Sequence, residues 1–188
     1  VYFATFSSHK FHGVRGVVFV YIKSGKKITP LLTGGGQERD YRSTTENVAG
    51  IAATAKALRL SMEKLDIFTS KTGQMKSVIR QALLDYPDIF VFSDEEDFAP
   101  HILTFGIKGV RGEVIVHAFE NYDIFISTTS ACSSKAGKPA GTLIAMGVDK
   151  DKAQSAVRLS LDLENDMSQV EQFLTKLKLI YNQTRKVR

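Results

Sequence analysis

Near its start the chain reads Ser7-Ser8-His9-Lys10-Phe11-His12-Gly13, a lysine in a small, polar, glycine-closed turn just after the apolar, strand-like run Val1 to Phe6. A lysine amine does chemistry when its pKa is lowered or when it is tied up as an imine, and the usual tie is a Schiff base to pyridoxal phosphate. Ser-His-Lys in a loop also occurs as solvated surface, so Lys10 has to be weighed with the other reactive side chains. Cys132 lies in Ile126-Ser127-Thr128-Thr129-Ser130-Ala131-Cys132-Ser133-Ser134-Lys135, among hydroxyls and not in an apolar run. A lone cysteine usually has a packing role. An accessible thiol with Lys135 close by can instead fall below its free pKa of about 8.5 and act as a nucleophile near neutrality.

Arg158 stands in Ala156-Val157-Arg158-Leu159-Ser160-Leu161, where alternation puts it on the face opposite Val157 and Leu159. It is either a solvent-facing strand arginine or a planar fork aimed at a carboxylate. Gly34-Gly35-Gly36-Gln37-Glu38-Arg39, followed by Arg42-Ser43-Thr44-Thr45 at the head of a helix, combines exposed amides, hydroxyls and a positive helix end. That set suits a phosphate, and Ser43 to Glu46 equally resembles an ordinary helix cap. No histidine pair has metal-ligand spacing with sulfur nearby, and no Walker A or dinucleotide-binding glycine pattern occurs, so no metal is expected.

These groups must be positioned by the elements around them. Val1 to Phe6 reads as the end of a strand and Val17 to Lys23 as a second one, closed by Ser24-Gly25. The chain therefore begins inside an element, which leads us to expect a partner segment upstream or on another chain. Pro30 to Asp40 is loop, because glycine runs lose too much backbone entropy in regular structure. Val48, Ile51, Ala52, Ala55, Leu58 and Leu65 recur at helical spacing over Thr45 to about Lys64, with alanine-rich faces suited to close packing. A second amphipathic helix runs from Lys71 to Leu84 and ends at Tyr86-Pro87, and the connection between the two is a candidate hinge. Strands are expected around Val91, at Ile102 to Phe105, Asp123 to Ser127 and Ala156 to Leu161. Helices are expected at Gly112 to Glu120, Gly141 to Met146 and Met167 to Tyr181, with an acidic loop at Asp94 to Asp97 and a flexible one at Thr128 to Lys138. The pattern is α/β at the beginning and α+β for the remainder.

Composition narrows the function classes. With 188 residues, 43% of them hydrophobic, the chain can bury a real core. Its apolar runs are far shorter than the roughly 20 residues of a membrane span, and Val1 to Phe6 lacks the features of a signal peptide. A single cysteine excludes an internal disulfide and points to a reducing cytoplasm. The net charge of +5 is mild and spread out, without interleaved aromatics, so direct nucleic-acid binding is not expected.

Four local patterns in this order, Ser-Ser-His-Lys with Phe-His-Gly, Gly-Gly-Gly-Gln-Glu with Arg-Ser-x-Thr-Glu-Asn, Ser-Ala-Cys-Ser-Ser, and Val-Arg-Leu-Ser-Leu, resemble the cysteine desulfurases. These are pyridoxal-phosphate enzymes of the class V aminotransferase group, and the likeness is to the branch with a long cysteine loop. The resemblance implies the end of a fold type I large cofactor domain over residues 1–66, followed by a small α+β domain over 67–188. It implies that Lys10 binds the cofactor and later takes the substrate α-proton, and that Ser7 and His9 contact the cofactor or its phosphate. Thr45 would reach the cofactor phosphate of the neighbouring subunit, making a homodimer part of the site. Arg158 would grip the carboxylate of L-cysteine, and Cys132 would take the sulfur as a persulfide and pass it to an acceptor protein for iron-sulfur assembly or tRNA thiolation, while alanine departs. In the family, the aspartate that pairs with the pyridine nitrogen, the ring-stacking residue and most of the phosphate loop lie upstream of the lysine, so the isolated stretch is expected to turn over little or not at all. Thr44 stands where the family's Arg-Ser-Gly-Thr has glycine, and a positive φ there would cost about 1 to 3 kcal/mol in a β-branched residue. The competing readings are a class V aminotransferase or lyase without sulfur chemistry, and a catalytically incomplete interaction module.

Overall fold

The computed structural model describes residues 1–93, 98–129 and 141–186, with side chains to 184. Backbone contacts divide the chain into two compact units, Val1–Leu65 and Asp66–Arg188.

In the first unit, β1 (Phe3–Ser7) and β2 (Val18–Ile22) form an antiparallel pair in the register Phe3↔Ile22 to Ser7↔Val18. Between them the chain makes a 3-10 helix, Ser8–Phe11, where the sequence suggested only a turn. His12 follows in the left-handed conformation at φ 65°, which lets the chain reverse at once. Phe6 and Phe19, directly opposed, stack at 4.9 Å, and Phe11 meets Phe19 edge-on at 6.2 Å. A lone pair of strands is marginally stable in water. Helix α1 (Val48–Glu63) supplies further support through a face of small residues: Gly50, Thr54 and Ala57 are buried. A methyl group on Gly50 would sit 2.8 Å from Val17 Cγ2, so only glycine allows this approach.

Helix α1 ends at Glu63 and α2 (Leu65–Leu84) begins two residues later, six residues before the expected Lys71 start. The hinge-length connection expected between them is thus reduced to Lys64. Leu65 to Ser70 contains no glycine or proline, and nothing in it stops helix propagation.

The second unit is built on an antiparallel sheet of order β3-β4-β6-β5, made of Ile89–Val91, Ile102–Ile107, Ala156–Ser160 and Ser127–Thr128 in that spatial order. Its buried residues include Leu103, Phe105, Ile107, Val157 and Leu159, in one cluster with Met75 and Ile79 of α2, Ile115 and Phe119 of α3 (Gly112–Glu120), and Phe173, Leu177 and Ile180 of α6 (Met167–Lys186). Phe119 and Phe173 stack at 5.0 Å. Two short helices, α4 (Gly141–Ala145) and α5 (Lys150–Gln154), share a smaller cluster of Leu143, Ala153 and Ala156. The expected strand over Asp123 to Ser127 shrinks to Ser127–Thr128, because Asp123 is left-handed at φ 57° and closes the turn after α3. Asp166 starts α6 with a capping box: its Oδ1 accepts from the Gln169 N–H at 3.0 Å, and Gln169 Oε1 accepts from the Asp166 N–H at 3.2 Å. Hydrogen bonds from the Ser168 hydroxyl and the Gln169 amide hold the Asp166 carboxyl below its ordinary range. No helix among the described residues is long and apolar enough to cross a membrane.

His101 packs on Phe68 at 5.1 Å, with a buried Nδ1 that has no hydrogen-bond partner among the described residues. Burial pushes its pKa below the ordinary histidine value, with Lys76 adding to the effect and Asp162 opposing it. A histidine with a lowered folded pKa takes up its proton more readily when unfolded. Its contribution to stability is complete above the unfolded value of about 6.5 and is lost as pH falls from there through the folded value. Replacing His101 with phenylalanine keeps a ring against Phe68 and should reduce the loss of urea midpoint between about pH 7.5 and about pH 5.5. An unchanged loss would rule His101 out as a source of acid sensitivity.

Candidate active site

Three of the residues singled out in the sequence share one short stretch. Ser7 is the half-buried last residue of β1, and His9 and Lys10 are the exposed middle of the 3-10 helix. A 3-10 helix has three residues per turn, so residues three apart eclipse one another. Ser8 and Phe11 accordingly share one side, which is anchored, and Lys10 projects from the other. Ser8 is fully buried. Its N–H donates to Val17 O at 2.9 Å, and its carbonyl accepts from the Gly13 N–H at 2.9 Å. The Phe11 carbonyl accepts from Ser61 Oγ at 3.4 Å, and its ring rests against Phe19. Gly13 has no freedom to change: a Cβ there would fall 2.0 Å from Ser8 Oγ. A basic side chain is thereby held out from a small, anchored knot of backbone.

Thr45 is exposed and lies ahead of α1, whose cap is Asn47; Asn47 Oδ1 accepts from the Gly50 N–H at 3.0 Å. The cap that the sequence suggested at Ser43 to Glu46 therefore forms further along. Thr44 is not among the residues with positive φ, so the β-branched residue at this position carries no left-handed strain. The left-handed residues of that loop other than glycine are instead Glu38, Arg39 and Asp40, at φ 51°, 57° and 65°.

Arg158 belongs to the second unit, at the centre of its sheet, opposite Thr104 of β4 and Ser127 of β5. It is exposed between the buried Val157 and Leu159, as alternation required. The interior strand β4 on one side and the short edge strand β5 on the other thus hold its backbone, while the side chain stays exposed. Cys132 lies outside the described residues. A cavity of about 310 Å³ in the second unit is lined by Arg80, Leu84, Val91, Phe92, Ser93 and Phe98, and includes none of the residues chosen from the sequence.

Ser8 and Thr54 were not singled out as site residues. Thr54 Oγ1 lies 3.0 Å from Ser8 Oγ and 2.7 Å from the Gly50 carbonyl, a buried side-chain contact that joins the lysine turn to α1. The signal for it was the spacing of Gly50, Thr54, Ala57 and Ser61, which lines small residues along one helix face.

The family model described as aminotransferase class-V matches residues 1–173. A protein of Lactobacillus delbrueckii subsp. bulgaricus named NifS/IcsS protein homolog is 46% identical over 184 residues, covering 97% of this chain and 48% of that protein. Cysteine desulfurase IscS of Clostridium botulinum is 35% identical over 184 residues, covering 96% of this chain and 46% of that protein. The solved structure of a NifS-like protein matches with a TM-score of 0.80 at 34% identity, over 98% of this chain and 46% of that one. A NifS-like protein from Rickettsia africae matches with a TM-score of 0.81 at 28% identity, over 97% of this chain and 48% of that one. The chain spans about half the length of the curated relatives it matches.

Proposed function

The chain belongs to the aminotransferase class-V family, and from that membership we propose that it forms the lysine- and cysteine-bearing part of a cysteine desulfurase, which converts L-cysteine to L-alanine and keeps the sulfur on Cys132 as a persulfide. The cofactor of the family is pyridoxal phosphate. The residues present fit it: Lys10 offers an exposed primary amine on an anchored turn, and Ser7 and His9 beside it offer a hydroxyl and an imidazole, the donor types that a carbonyl and a phosphate require. Residues 1–66 are assigned to the end of the large cofactor domain and 67–188 to the small domain, a division that the two compact units support.

When bound, the cofactor supplies an electron sink for the charge left on the substrate carbon after deprotonation. Lys10 would hold it through Nζ and, once the substrate's own amine has displaced that nitrogen, the freed Nζ would take the α-proton. Ser7 and His9 would contact the cofactor or its phosphate, and Thr45 would reach the phosphate from the neighbouring subunit of a homodimer. Arg158 pairs with the substrate carboxylate through its planar fork. The Cys132 thiolate attacks the substrate sulfur: an S–S bond forms and the C–S bond breaks, its electron pair staying with the carbon, which is protonated and leaves as alanine. Sulfur is oxidised as carbon is reduced, so no external oxidant enters. The persulfide passes to an acceptor protein for iron-sulfur assembly or tRNA thiolation, in the cytoplasm.

The observation that carries this reading is the turn itself, with Ser8 and Phe11 anchored inward and Lys10 directed outward. Its test is Cys132→Ser in the intact protein supplied with pyridoxal phosphate and L-cysteine. Alanine release is expected to fall by on the order of 10²-fold or more, as when a nucleophile is removed. An aminotransferase or lyase without sulfur chemistry would keep its turnover, and that result would replace the desulfurase reading.

A further inference from the structure

Thr54 has a single hydroxyl proton and two oxygens within reach, the Gly50 carbonyl at 2.7 Å and Ser8 Oγ at 3.0 Å. When that proton goes to the carbonyl, the nearer acceptor, the proton between the two side chains has to come from Ser8. The result is a directed relay from the Ser8 hydroxyl to Thr54 Oγ1 and on to the helix backbone. It is shielded from water, since Ser8 is fully buried and Thr54 is 6% exposed. Gly13 closes the other side of the Ser8 hydroxyl, where a Cβ would lie 2.0 Å away. Ser8 is thus tied at three atoms, N, O and Oγ, and Lys10 follows it in the same 3-10 helix.

We propose that the Ser8–Thr54 hydroxyl pair positions Lys10, locking the lysine turn to α1 so that the amine is presented in one orientation for cofactor attachment and proton transfer. The proposal rests on the reading of Lys10 given above. Neither hydroxyl touches substrate in it; both act through the backbone of the turn. Buried hydrogen bonds of this kind fix orientation where packing alone leaves several poses. Misplacing a reacting group by about 1 Å costs on the order of 10²-fold in rate.

The test compares Thr54→Val, which keeps the branched shape, with Thr54→Ser, which keeps the hydroxyl, and with Ser8→Ala, all in the intact protein. Without cofactor, amide hydrogen exchange at His12 and Gly13 is expected to quicken about tenfold in Thr54→Val and Ser8→Ala, the opening that loss of one net hydrogen bond gives. With cofactor, kcat for alanine release is expected to fall by about tenfold or more while KM for L-cysteine stays within about twofold. The pH midpoint of the absorbance change of the lysine-bound cofactor should move as well, and Thr54→Ser should restore all three. Wild-type exchange, kcat and pH midpoint in Thr54→Val would overturn the positioning role while leaving the desulfurase reading intact. A merely structural role would lower stability and leave the pH midpoint where it was, which also overturns it. A wild-type protein with no lysine-bound cofactor absorbance would instead overturn the parent reading, and the proposal with it.

Discussion

Lys10→Ala is expected to remove both the covalent attachment of pyridoxal phosphate and the conversion of L-cysteine to L-alanine. Loss of a positioned proton acceptor alone lowers rates by on the order of 10² to 10⁴-fold. Here the same side chain also holds the cofactor, so the two losses compound. The fold should tolerate the change. Lys10 is exposed, and the anchors of its turn are the Ser8 backbone, the Phe11 ring and carbonyl, and Gly13. Alanine is also a good residue in a helical turn. Visible absorbance of the bound cofactor, alanine release and far-ultraviolet circular dichroism together check this. The first two should vanish and the third should stay. Persistence of a covalent cofactor signal in Lys10→Ala would mean that another amine does the work.

The second large effect concerns stability. Phe119 is fully buried and stacks on Phe173, in the same cluster as Val157 and Leu159, the neighbours that hold Arg158 in its strand. Truncating a buried phenylalanine to alanine costs about 3 to 5 kcal/mol, through lost burial and the cavity left behind. Domains are stable by only about 5 to 15 kcal/mol, so Phe119→Ala should consume a large part of the total. The denaturant midpoint should fall accordingly with an unchanged slope. Phe125, 78% exposed, gives the internal comparison. Phe125→Ala should change stability by no more than about 0.5 kcal/mol, since surface positions seldom contribute more. Equal effects from the two replacements would contradict the packing described.

What could be read in advance follows from how local each signal was. Alternation placed Arg158 on the face opposite Val157 and Leu159, because side-chain direction in a strand depends only on parity. Gly112 to Glu120 was bounded correctly as a helix, since its apolar residues recur at helical spacing and its ends sit on turns. Asp123 and Leu65 escaped for opposite reasons. Asp123 closes a turn by a left-handed φ that the apolar run after it conceals, whereas α2 extends back to Leu65 because nothing in Leu65 to Ser70 breaks it. The Ser8–Thr54 contact joins positions 46 apart in sequence, and pairings of that range leave no local mark beyond small residues on one helix face. The family resemblance rested on four short patterns in order, and the class-V match over residues 1–173 covers all four.

The most direct measurement supplies the intact protein with pyridoxal phosphate and L-cysteine, quantifies alanine, and maps the product sulfur by peptide mass spectrometry. One additional sulfur atom is expected on the peptide containing Cys132, in step with alanine, and none is expected in Lys10→Ala. Alanine formed without sulfur on that peptide, or sulfur loaded there equally in Lys10→Ala, would contradict a shared substrate for the amine of Lys10 and the thiol of Cys132.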